Sequence, residues 1–394
     1  MTRRRTNLWG LFMALPALAM LWCGTAAFAE ETGRVDWKRV ARLRPDLKVL
    51  VQVKSKEPIS LKDLALLSDR GLQPADRDPG LVLGLSTAVF QTKMEKWREG
   101  NWLPPHMEGK LLERFYMSGI YRVAFKVKAD GYVGPLTIEV TAPRDGFGRR
   151  LGYSAYVVRP ECESKMRTDS AGNRWLSAQF QEVRAEQTIR FHFGFDYEVD
   201  VAELLKHDLL LADAPVGNEI PTEVSGFLKP GYKIDPRMPA ALSWAASGGA
   251  GPVDARKEWK RLTKFIEKSV TYDQAKRAAY FGGKMVYADL DMMYQEISET
   301  LAGGKGCCPD TVLLECAFLR ARGIPCLTAG RFGHFFSIVY LAGRGWMSTS
   351  VTPTEIPLLL SPGPDHVPYQ RWTPRIPLKT TLWEARVRID MMEE

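Results

Sequence analysis

The stretch that most constrains the fold is residues 306–346, which predicts one helix followed by a β-hairpin. Pro309 suits the first turn of a helix, because the N–H group that proline lacks has no partner there. Asp310 places negative charge at the helix start, two arginines place positive charge near its end, and Gly323 can close it in a left-handed conformation. The pattern therefore predicts a helix over 308–323 with Cys308 as its N-cap.

This position gives Cys308 a reactive setting. A thiol at the start of a helix lies at the positive end of the helix dipole, among N–H groups that have no partner within the helix. Such a setting lowers the pKa of the thiol and favours the thiolate, which is the nucleophile. The glycines at 302–306 let the backbone approach the sulfur, where N–H groups form an oxyanion hole. The alternatives are a buried structural cysteine and a merely flexible glycine connector.

A general base follows the helix. Of five histidines, His334 alone comes soon after it. A short strand is predicted over 324–330, and a hairpin over 335–351 about a glycine-rich turn at 342–345. His334 opens the first arm of this hairpin and is expected opposite residues 350–353. A helix-borne cysteine, a strand-borne histidine and a third group on the neighbouring strand form a Cys–His acyl-transfer site. The alternative is a histidine of the core.

The order of these motifs resembles the core of the transglutaminase-like superfamily, whose fold is similar to that of papain. The pattern G-x-C-x-D, LRA-x-GIP, G-H and G-x-GW stands here at 306–310, 319–325, 333–334 and 343–346, after an I-x-Y helix end within 265–273. The match covers about residues 255–355, roughly a quarter of the chain. By this resemblance, Cys308 takes the position of the nucleophile and His334 that of the base.

The third member of the triad departs from this pattern. Family members usually carry an Asp four residues after the conserved tryptophan, and here that position is Ser350. A triad acid fixes the imidazole tautomer and stabilises the imidazolium, whereas a hydroxyl can orient the ring but carries no charge. No other acid lies on that arm, and the nearest, Glu355, comes after Pro353. The predicted catalytic set is therefore Cys308, His334 and Ser350, with the acid missing.

The N-terminus has the pattern of a secretory signal peptide. Three arginines at 3–5 precede an apolar stretch at 8–21, and small residues at 27 and 29 form a cleavage site. We expect a signal peptide over 1–29 and a periplasmic or secreted protein outside the membrane after cleavage; the alternative is an uncleaved anchor. Removing three arginines lowers the net charge from +8 to +5. Without a basic block, nucleic-acid binding is not predicted, whereas contact with acidic envelope polymers is compatible with this charge.

The predicted fold class is α+β, with an N-terminal β-sandwich domain followed by a papain-like transglutaminase core whose cysteine-bearing helix packs on an antiparallel sheet. Short alternating strands at 121–127, 136–141, 174–180 and 188–195 predict the sandwich. Its D-x-x-G-N turn resembles one that precedes the core in bacterial transglutaminase-like proteins. After the signal peptide, the predicted regions are an N-terminal region of uncertain fold at 30–112, the β-sandwich at 113–230, a linker at 231–253, the core at 254–360 with helices at 254–270 and 290–301, and a C-terminal tail with a strand at 361–394.

Five cysteines remain after signal cleavage. In an oxidising compartment an odd number leaves at least one thiol unpaired within the chain, which is consistent with a working nucleophile. Cys307 and Cys308 are adjacent and lack the spacing of a zinc-chelating pair, so neither a metal nor another cofactor is predicted. Cys316 and Cys326 are expected to be core residues or a disulfide, and Cys307 to form a disulfide or exchange roles with Cys308.

Three functions from different classes fit these features. The first is a periplasmic cysteine enzyme: His334 takes the proton of Cys308, the thiolate attacks an amide carbonyl of a peptide or protein substrate, and water (peptidase or amidase) or an amine (transglutaminase) resolves the acyl-enzyme. The second is a catalytically degenerate module that binds peptide or envelope polymer, because Ser350 replaces the acid. The third is a purely structural secreted protein.

Overall fold

The computed structural model describes residues 81–82, 114–212, 220–249, 253–281, 286–287, 294–351 and 356–391. The predictions of a signal peptide at 1–29 and of the region 30–112, apart from one short strand, lie outside these residues. The strands are β1 (Leu81–Val82), β2 (Arg114–Val127), β3 (Val133–Ala142), β4 (Arg149–Arg159), β5 (Glu163–Thr168), β6 (Arg174–Arg184), β7 (Thr188–Asp200), β8 (Thr271–Tyr272), β9 (Val286–Tyr287), β10 (Lys305–Gly306), β11 (Cys326–Arg331), β12 (His334–Leu341), β13 (Gly345–Ser348), β14 (Pro357–Leu360), β15 (Gln370–Thr373) and β16 (Leu378–Met391). The helices are α1 (Val201–Lys206), α2 (Thr222–Ser225), α3 (Pro239–Ser247), α4 (Ala255–Ser269), α5 (Gln274–Phe281), α6 (Ile297–Gly303) and α7 (Cys308–Ala321).

Two antiparallel sheets are built from the alternating strands that the sequence predicts between 113 and 200. The larger has the order β1-β16-β2-β7-β4, with β9 beside β16, and the smaller has the order β15-β3-β6-β5. Strand β7 alternates between buried and more exposed residues along most of its length, as expected for a strand with one covered face. Tyr121, on β2 of the larger sheet, and Thr141, on β3 of the smaller, are both fully buried.

Both sheets also take a strand from the C-terminus. Strand β16 pairs with β2 along almost its whole length, and β15 pairs with β3. The strand predicted in the C-terminal tail is thus present and lies between β1 and β2 in the larger sheet. A separate sandwich domain at 113–230 stays a prediction, and the structure adds that strands following the core complete these sheets.

Helix α7 lies against a four-stranded antiparallel sheet with the order β13-β12-β11-β14. Eleven of its 14 residues are buried, so it is covered on nearly every side. The hydroxyl of Ser337, on β12, donates to Glu315 at 2.6 Å. The Sγ atoms of Cys316 and Cys326 lie 3.3 Å apart as free, buried thiols. The predicted packing of a cysteine-bearing helix on an antiparallel sheet is confirmed.

A buried arginine secures the C-terminal end of this helix. Arg320 is 4 % exposed and donates to three backbone oxygens, those of Cys326 at 2.9 Å, Lys229 at 2.9 Å and Pro364 at 2.8 Å. Three acceptors satisfy a guanidinium that would otherwise be costly to bury. Gly323, with a φ of 80°, then turns the chain toward β11, as the sequence predicts.

Two segments of the core differ from the sequence prediction. The expected linker at 231–253 contains helix α3, whose Trp244 ring packs 5.6 Å from that of Phe318. The small residues of this segment favoured a flexible connector. Burial of Trp244 against helix α7 stabilises α3 instead. The helix expected at 290–301 is α6, which begins at Ile297, because Glu296 and Glu299 form a capping box there. None of the helices among the described residues is long and apolar enough to cross a membrane.

The D-x-x-G-N turn at 169–173 connects the smaller β-sheet to the core sheet. Asp169 Oδ1 accepts the Asn173 backbone N–H at 2.9 Å, which closes the turn. Asn173 is fully buried, and its amide pairs with both backbone groups of Leu360: Nδ2 donates to the oxygen at 2.6 Å, and Oδ1 accepts from the nitrogen at 2.7 Å. Its Oδ1 also accepts from Arg144. One amide thus joins the turn to β14.

Replacing Asn173 with alanine is expected to lower the free energy of unfolding by about 2–4 kcal/mol, because it leaves the buried groups of Leu360 and Arg144 without a partner. Chemical denaturation of the purified chain measures this loss. The matched control is Lys165→Ala on exposed β5, which should stay within about 0.5 kcal/mol of the parent. Equal stability of the two variants would contradict the role given to Asn173.

Candidate active site

A buried carboxylate organises the start of helix α7. Asp310 is fully buried, and its oxygens accept from Lys276 Nζ at 2.7 and 2.9 Å, from the backbone N–H of Gln295 at 2.9 Å and from that of Cys307 at 2.9 Å. The bond to Cys307 makes that residue the N-cap, with Cys308 first in the helix. The prediction that Cys308 itself is the N-cap is therefore wrong by one residue, because Asp310 reaches back three positions to Cys307.

The glycine-rich segment that precedes helix α7 brings a tyrosine beside Cys308. Strands β8 and β10 pair in parallel, with Gly306 opposite Tyr272. A Cβ atom on Gly306 would lie 3.0 Å from the Thr300 side chain and 3.1 Å from that of Asp310, so this close approach favours glycine. The Tyr272 hydroxyl lies within hydrogen-bonding reach of the Cys308 sulfur. The I-x-Y motif marks Tyr272 in the sequence, but its position in the motif does not indicate this contact.

The histidine is held at a tight turn between β11 and β12. His334 pairs across this turn with Arg331, and the Tyr369 hydroxyl lies 2.6 Å from the backbone oxygens of both residues. A Cβ on Gly330 would fall 2.5 Å from the Tyr369 ring, so glycine permits this approach. The backbone N–H of Phe335 is directed at the Cys308 sulfur. The turn thus presents His334 beside the nucleophile.

The predicted nucleophile and base line one pocket. Cys308 is 7 % exposed, whereas Tyr272 is 39 % exposed and reaches from solvent to the sulfur. Among the described contacts, no hydrogen bond joins the Cys308 thiol to the His334 ring; catalytic hydrogen bonds often tighten only in the substrate complex. The residues lining the pocket are Tyr272, Arg277, Cys307, Cys308, Pro309, Gly333, His334, Phe335 and Tyr369.

Ser350, the third predicted catalytic residue, is not among the residues that line this pocket. Its backbone oxygen and its hydroxyl accept from Nη1 and Nη2 of Arg331, both at 2.8 Å. Strand β13 ends at Ser348, opposite Ile338 on β12, so the chain leaves the sheet before it comes opposite His334. The structure therefore brings together Cys308 and His334 but turns Ser350 toward Arg331. Glu355 lies outside the described residues.

Burial sets the protonation of the pair. It raises the pKa of the Cys308 thiol, against the opposing effects of the Phe335 N–H, the Tyr272 hydroxyl and Arg277. It also lowers the pKa of His334 well below its usual range, an effect that Arg331 and Arg277 reinforce. The prediction of a lowered thiol pKa is wrong in direction, because burial disfavours the thiolate. The resting pair at neutral pH is a thiol beside a neutral imidazole.

The adjacent Cys307 has a different environment. Its Sγ donates to Asp310 Oδ2 at 3.3 Å, and burial together with the nearby Asp310 and Cys308 raises its thiol pKa far above the usual range. A thiol that is bonded to a carboxylate and disfavoured as an anion is a poor nucleophile. These contacts favour Cys308 over Cys307 as the reactive residue.

Two pocket residues, Arg277 and Tyr369, were not identified from the sequence. Arg277 lies on helix α5, and Tyr369 comes just before β15, far from either motif in sequence. No local pattern links them to Cys308, since only the folded chain brings them together. Within the described ranges, no group of three or more His, Cys, Asp or Glu side chains is arranged to hold a metal ion.

Comparison with known proteins reveals a shared fold. No protein-family model matches the sequence, and no curated protein matches it. A crystal structure of a protein from Cytophaga hutchinsonii, described as a candidate cysteine protease, matches with a TM-score of 0.51 and 13% identity over 71% of this chain and 92% of that chain. This likeness shows that the two chains share a fold. The periplasmic domain of TgpA from Pseudomonas aeruginosa overlaps more loosely, with a TM-score of 0.28 and 13% identity over 62% of this chain and 88% of that chain.

Replacing Asp310 with alanine is expected to lower the free energy of unfolding by about 3–5 kcal/mol, because Lys276 would keep a buried charge without its partner. Adding Lys276→Met should recover part of this loss, since it removes the stranded charge. Denaturant titration of the parent, both single variants and the double variant measures the coupling. Simple additivity of the two single losses would contradict the buried ion pair.

Alkylation of Cys308 by iodoacetamide is expected to be slow at neutral pH and to rise about tenfold per pH unit until the thiol ionises. The reason is the raised thiol pKa, since only the thiolate reacts. Mass spectrometry of the labelled peptide measures the rate, and Cys308→Ala corrects for labelling at half-exposed Cys162. A rapid, pH-independent rate near neutrality would instead reveal a thiolate–imidazolium pair.

Proposed function

We propose that this chain is a periplasmic cysteine hydrolase that cleaves amide bonds of peptides through an acyl-enzyme on Cys308. The observation that carries the proposal is the shared pocket, which Cys308, His334 and the partly exposed Tyr272 all line. The resemblance to a fold described as that of a candidate cysteine protease favours hydrolysis over transfer to an amine. The periplasmic location rests on the signal-peptide pattern at 1–29.

The first chemical step suits a neutral pair. As the Cys308 sulfur attacks the carbonyl carbon, its proton moves to the unprotonated nitrogen of His334, a carbon–sulfur bond forms, and the carbonyl π electrons move to oxygen. Because the pKa of His334 is lowered, its imidazole stays unprotonated and ready to act as a base into mildly acidic solution. A thiolate formed in advance is not required.

The developing oxyanion has two donors nearby. The backbone N–H of Cys308, first in its helix, has no acceptor within the helix. The Tyr272 hydroxyl, directed at the sulfur in the resting protein, can turn to the adjacent oxygen once the sulfur has become a thioether. Preorganised donors of this kind stabilise a tetrahedral intermediate more than they stabilise the substrate.

Collapse of the tetrahedral intermediate and hydrolysis of the acyl-enzyme complete the cycle. Protonated His334 gives its proton to the leaving nitrogen as the carbon–nitrogen bond breaks, which leaves the acyl group on Cys308. A water molecule, deprotonated by His334, then attacks this thioester, and the carboxylic acid departs as the sulfur regains its proton. An amine in place of water would give a new amide by the same steps, so acyl transfer is a second outcome for the same site.

The second candidate function is a degenerate binding module. A specific observation favours it: where the family's acid would orient the imidazole, this chain carries Ser350 bonded to Arg331. Such a module would use the pocket to hold peptide or envelope polymer without cleaving it. We rank the hydrolase first because Cys308 and His334 line one pocket, although no acid here stabilises the imidazolium that forms when His334 takes the proton.

The test is cleavage of a mixed peptide library by the purified chain, with products identified by mass spectrometry in the presence and absence of a primary amine. Cys308→Ala should abolish turnover, His334→Ala should reduce it about 10²–10⁴-fold, and Tyr272→Phe should reduce kcat about 10²-fold. New amides formed with the added amine would identify transfer in place of hydrolysis.

Matched controls are Cys162→Ala and Tyr116→Phe, both outside the pocket, which should keep the parent activity. Binding of peptides without any turnover that depends on Cys308 would reject the hydrolase and support the degenerate module.

A further inference from the structure

We propose that Cys316 and Cys326 form a disulfide site, at which a bond made in an oxidising compartment ties the helix that carries Cys308 to the sheet that carries His334. The sequence leaves these two cysteines open between core thiols and a disulfide, and the contact between their sulfurs carries the inference. It goes beyond the proposed function and does not depend on whether Cys308 is catalytic.

The two sulfurs are in direct contact inside the core. Cys316 lies on α7 and Cys326 begins β11, and their Sγ atoms are 3.3 Å apart. Neither residue is exposed to solvent. Two cysteines can be bridged without rearrangement of the backbone only where their side chains already point at each other. The side-chain direction that a disulfide requires is therefore present in the thiol form.

A neighbouring arginine holds this contact in place. Cys316 and Arg320 are four residues apart on α7, so they lie on the same face of the helix. The Nε atom of Arg320 donates to the backbone oxygen of Cys326 at 2.9 Å. The backbone N–H of Ile324 donates to the oxygen of Leu319 at 3.0 Å, which closes the turn between helix and strand. These bonds keep the start of β11 beside Cys316.

The other described cysteines are poor partners for either thiol. Cys308 lies eight residues before Cys316 on the same helix, which corresponds to about 12 Å along the helix axis. Cys307 is one residue farther away, and its thiol already donates to a carboxylate. Cys162 lies in the connection between β4 and β5, outside the core sheet. Pairing in the folded arrangement therefore joins Cys316 to Cys326 and leaves the thiol of Cys308 free.

The bond forms by thiol–disulfide exchange with an oxidant that is itself a disulfide. The thiolate of one cysteine attacks a sulfur of the oxidant, a mixed disulfide forms, and one oxidant thiolate leaves. The thiolate of the second cysteine then attacks the protein sulfur of the mixed disulfide and releases the other oxidant thiolate. The pair loses two electrons and two protons, and the oxidant takes up both and ends as two thiols.

Burial determines when this exchange takes place. It raises the pKa of the Cys326 thiol well above its usual range, and the contact with Cys316 adds to this effect. Because the thiolate is the reacting form and both sulfurs are covered, exchange is slow in the folded chain. The bond therefore forms while the chain folds, and burial then protects it from reductants. The redox state of the pair follows the compartment in which the chain folds.

A bond at this place connects the two elements on which the candidate site is built. Helix α7 begins at Cys308, and β11 pairs with β12, which begins at His334. The bond also closes a short loop in the unfolded chain, which lowers the entropy of that state and favours the folded one. Oxidation thus stabilises the arrangement of helix and sheet without using the thiol that lines the pocket.

Peptide mapping tests the bond directly. The full chain is unfolded in denaturant with reductant and then refolded either in reduced and oxidised glutathione or in reductant alone. Remaining thiols are blocked with N-ethylmaleimide in denaturant. Cleavage after arginine and after Glu315 releases Cys316 and Cys326 on two short peptides, 316–320 and 323–331, neither of which contains a further cysteine. These peptides should be joined in most of the glutathione sample and blocked separately in the reductant sample.

Thermal unfolding gives an independent measurement. The parent chain refolded in glutathione should unfold about 3–8 °C above the same chain refolded in reductant, because the bond constrains the unfolded state. Cys326→Ala should abolish this difference, whereas the matched control Cys162→Ala should keep it. Comparison of two redox states of one sequence separates the effect of the bond from that of an altered side chain.

The proposal is overturned if both peptides are blocked after the chain has regained its fold in glutathione, or if Cys326 is joined to a peptide that carries another cysteine. Where the chain does not refold, the same mapping of the chain exported to the periplasm of a bacterial host decides: joined peptides support the site and free thiols reject it. Because no cleavage of substrate is measured, failure of the hydrolase proposal leaves this result intact.

Discussion

The buried carboxylate of Asp310 is the interaction on which the rest of the site depends. It has no solvent exposure, and the Lys276 ammonium and two backbone N–H groups satisfy it. A buried charge is tolerated only when its partners are held in place, so this ion pair fixes helix α5 relative to the start of α7. Arg277 directly follows Lys276, and Cys308 comes two residues before Asp310. The positions of these two pocket residues therefore depend on the same ion pair.

Desolvation determines whether Cys308 and His334 are charged in the resting protein. The start of a helix favours a thiolate, but Cys308 is nearly buried, and burial raises the pKa of its thiol. The same burial, together with Arg331 and Arg277, keeps His334 unprotonated. The acid of the family acts once the imidazole has taken a proton, and at its position this chain carries Ser350, which is bonded to Arg331.

Local sequence patterns predicted most of the elements that build the site. The sequence alone predicts the alternation of the strands, the helix start at Pro309 and the glycine after the helix. Each of these features depends on contacts within a few residues. The predicted N-cap, Cys308, differs by one residue from the observed one. The reason is that the backbone group to which the Asp310 side chain bonds is fixed only when the helix forms. Helix α3 was missed because burial of Trp244 against α7, a contact distant in sequence, stabilises it.

By itself, the sequence determined that a cysteine begins a helix, that a histidine opens the following hairpin and that alternating strands form antiparallel sheets, since each depends on residue type and spacing. Only the tertiary structure decided that Ser350 turns to Arg331, that Tyr272 and Arg277 join the pocket, and that the C-terminal strands complete the sheets. These outcomes depend on where long-range packing places each backbone and on how much water burial removes. A local sequence pattern encodes neither the long-range packing nor the extent of burial.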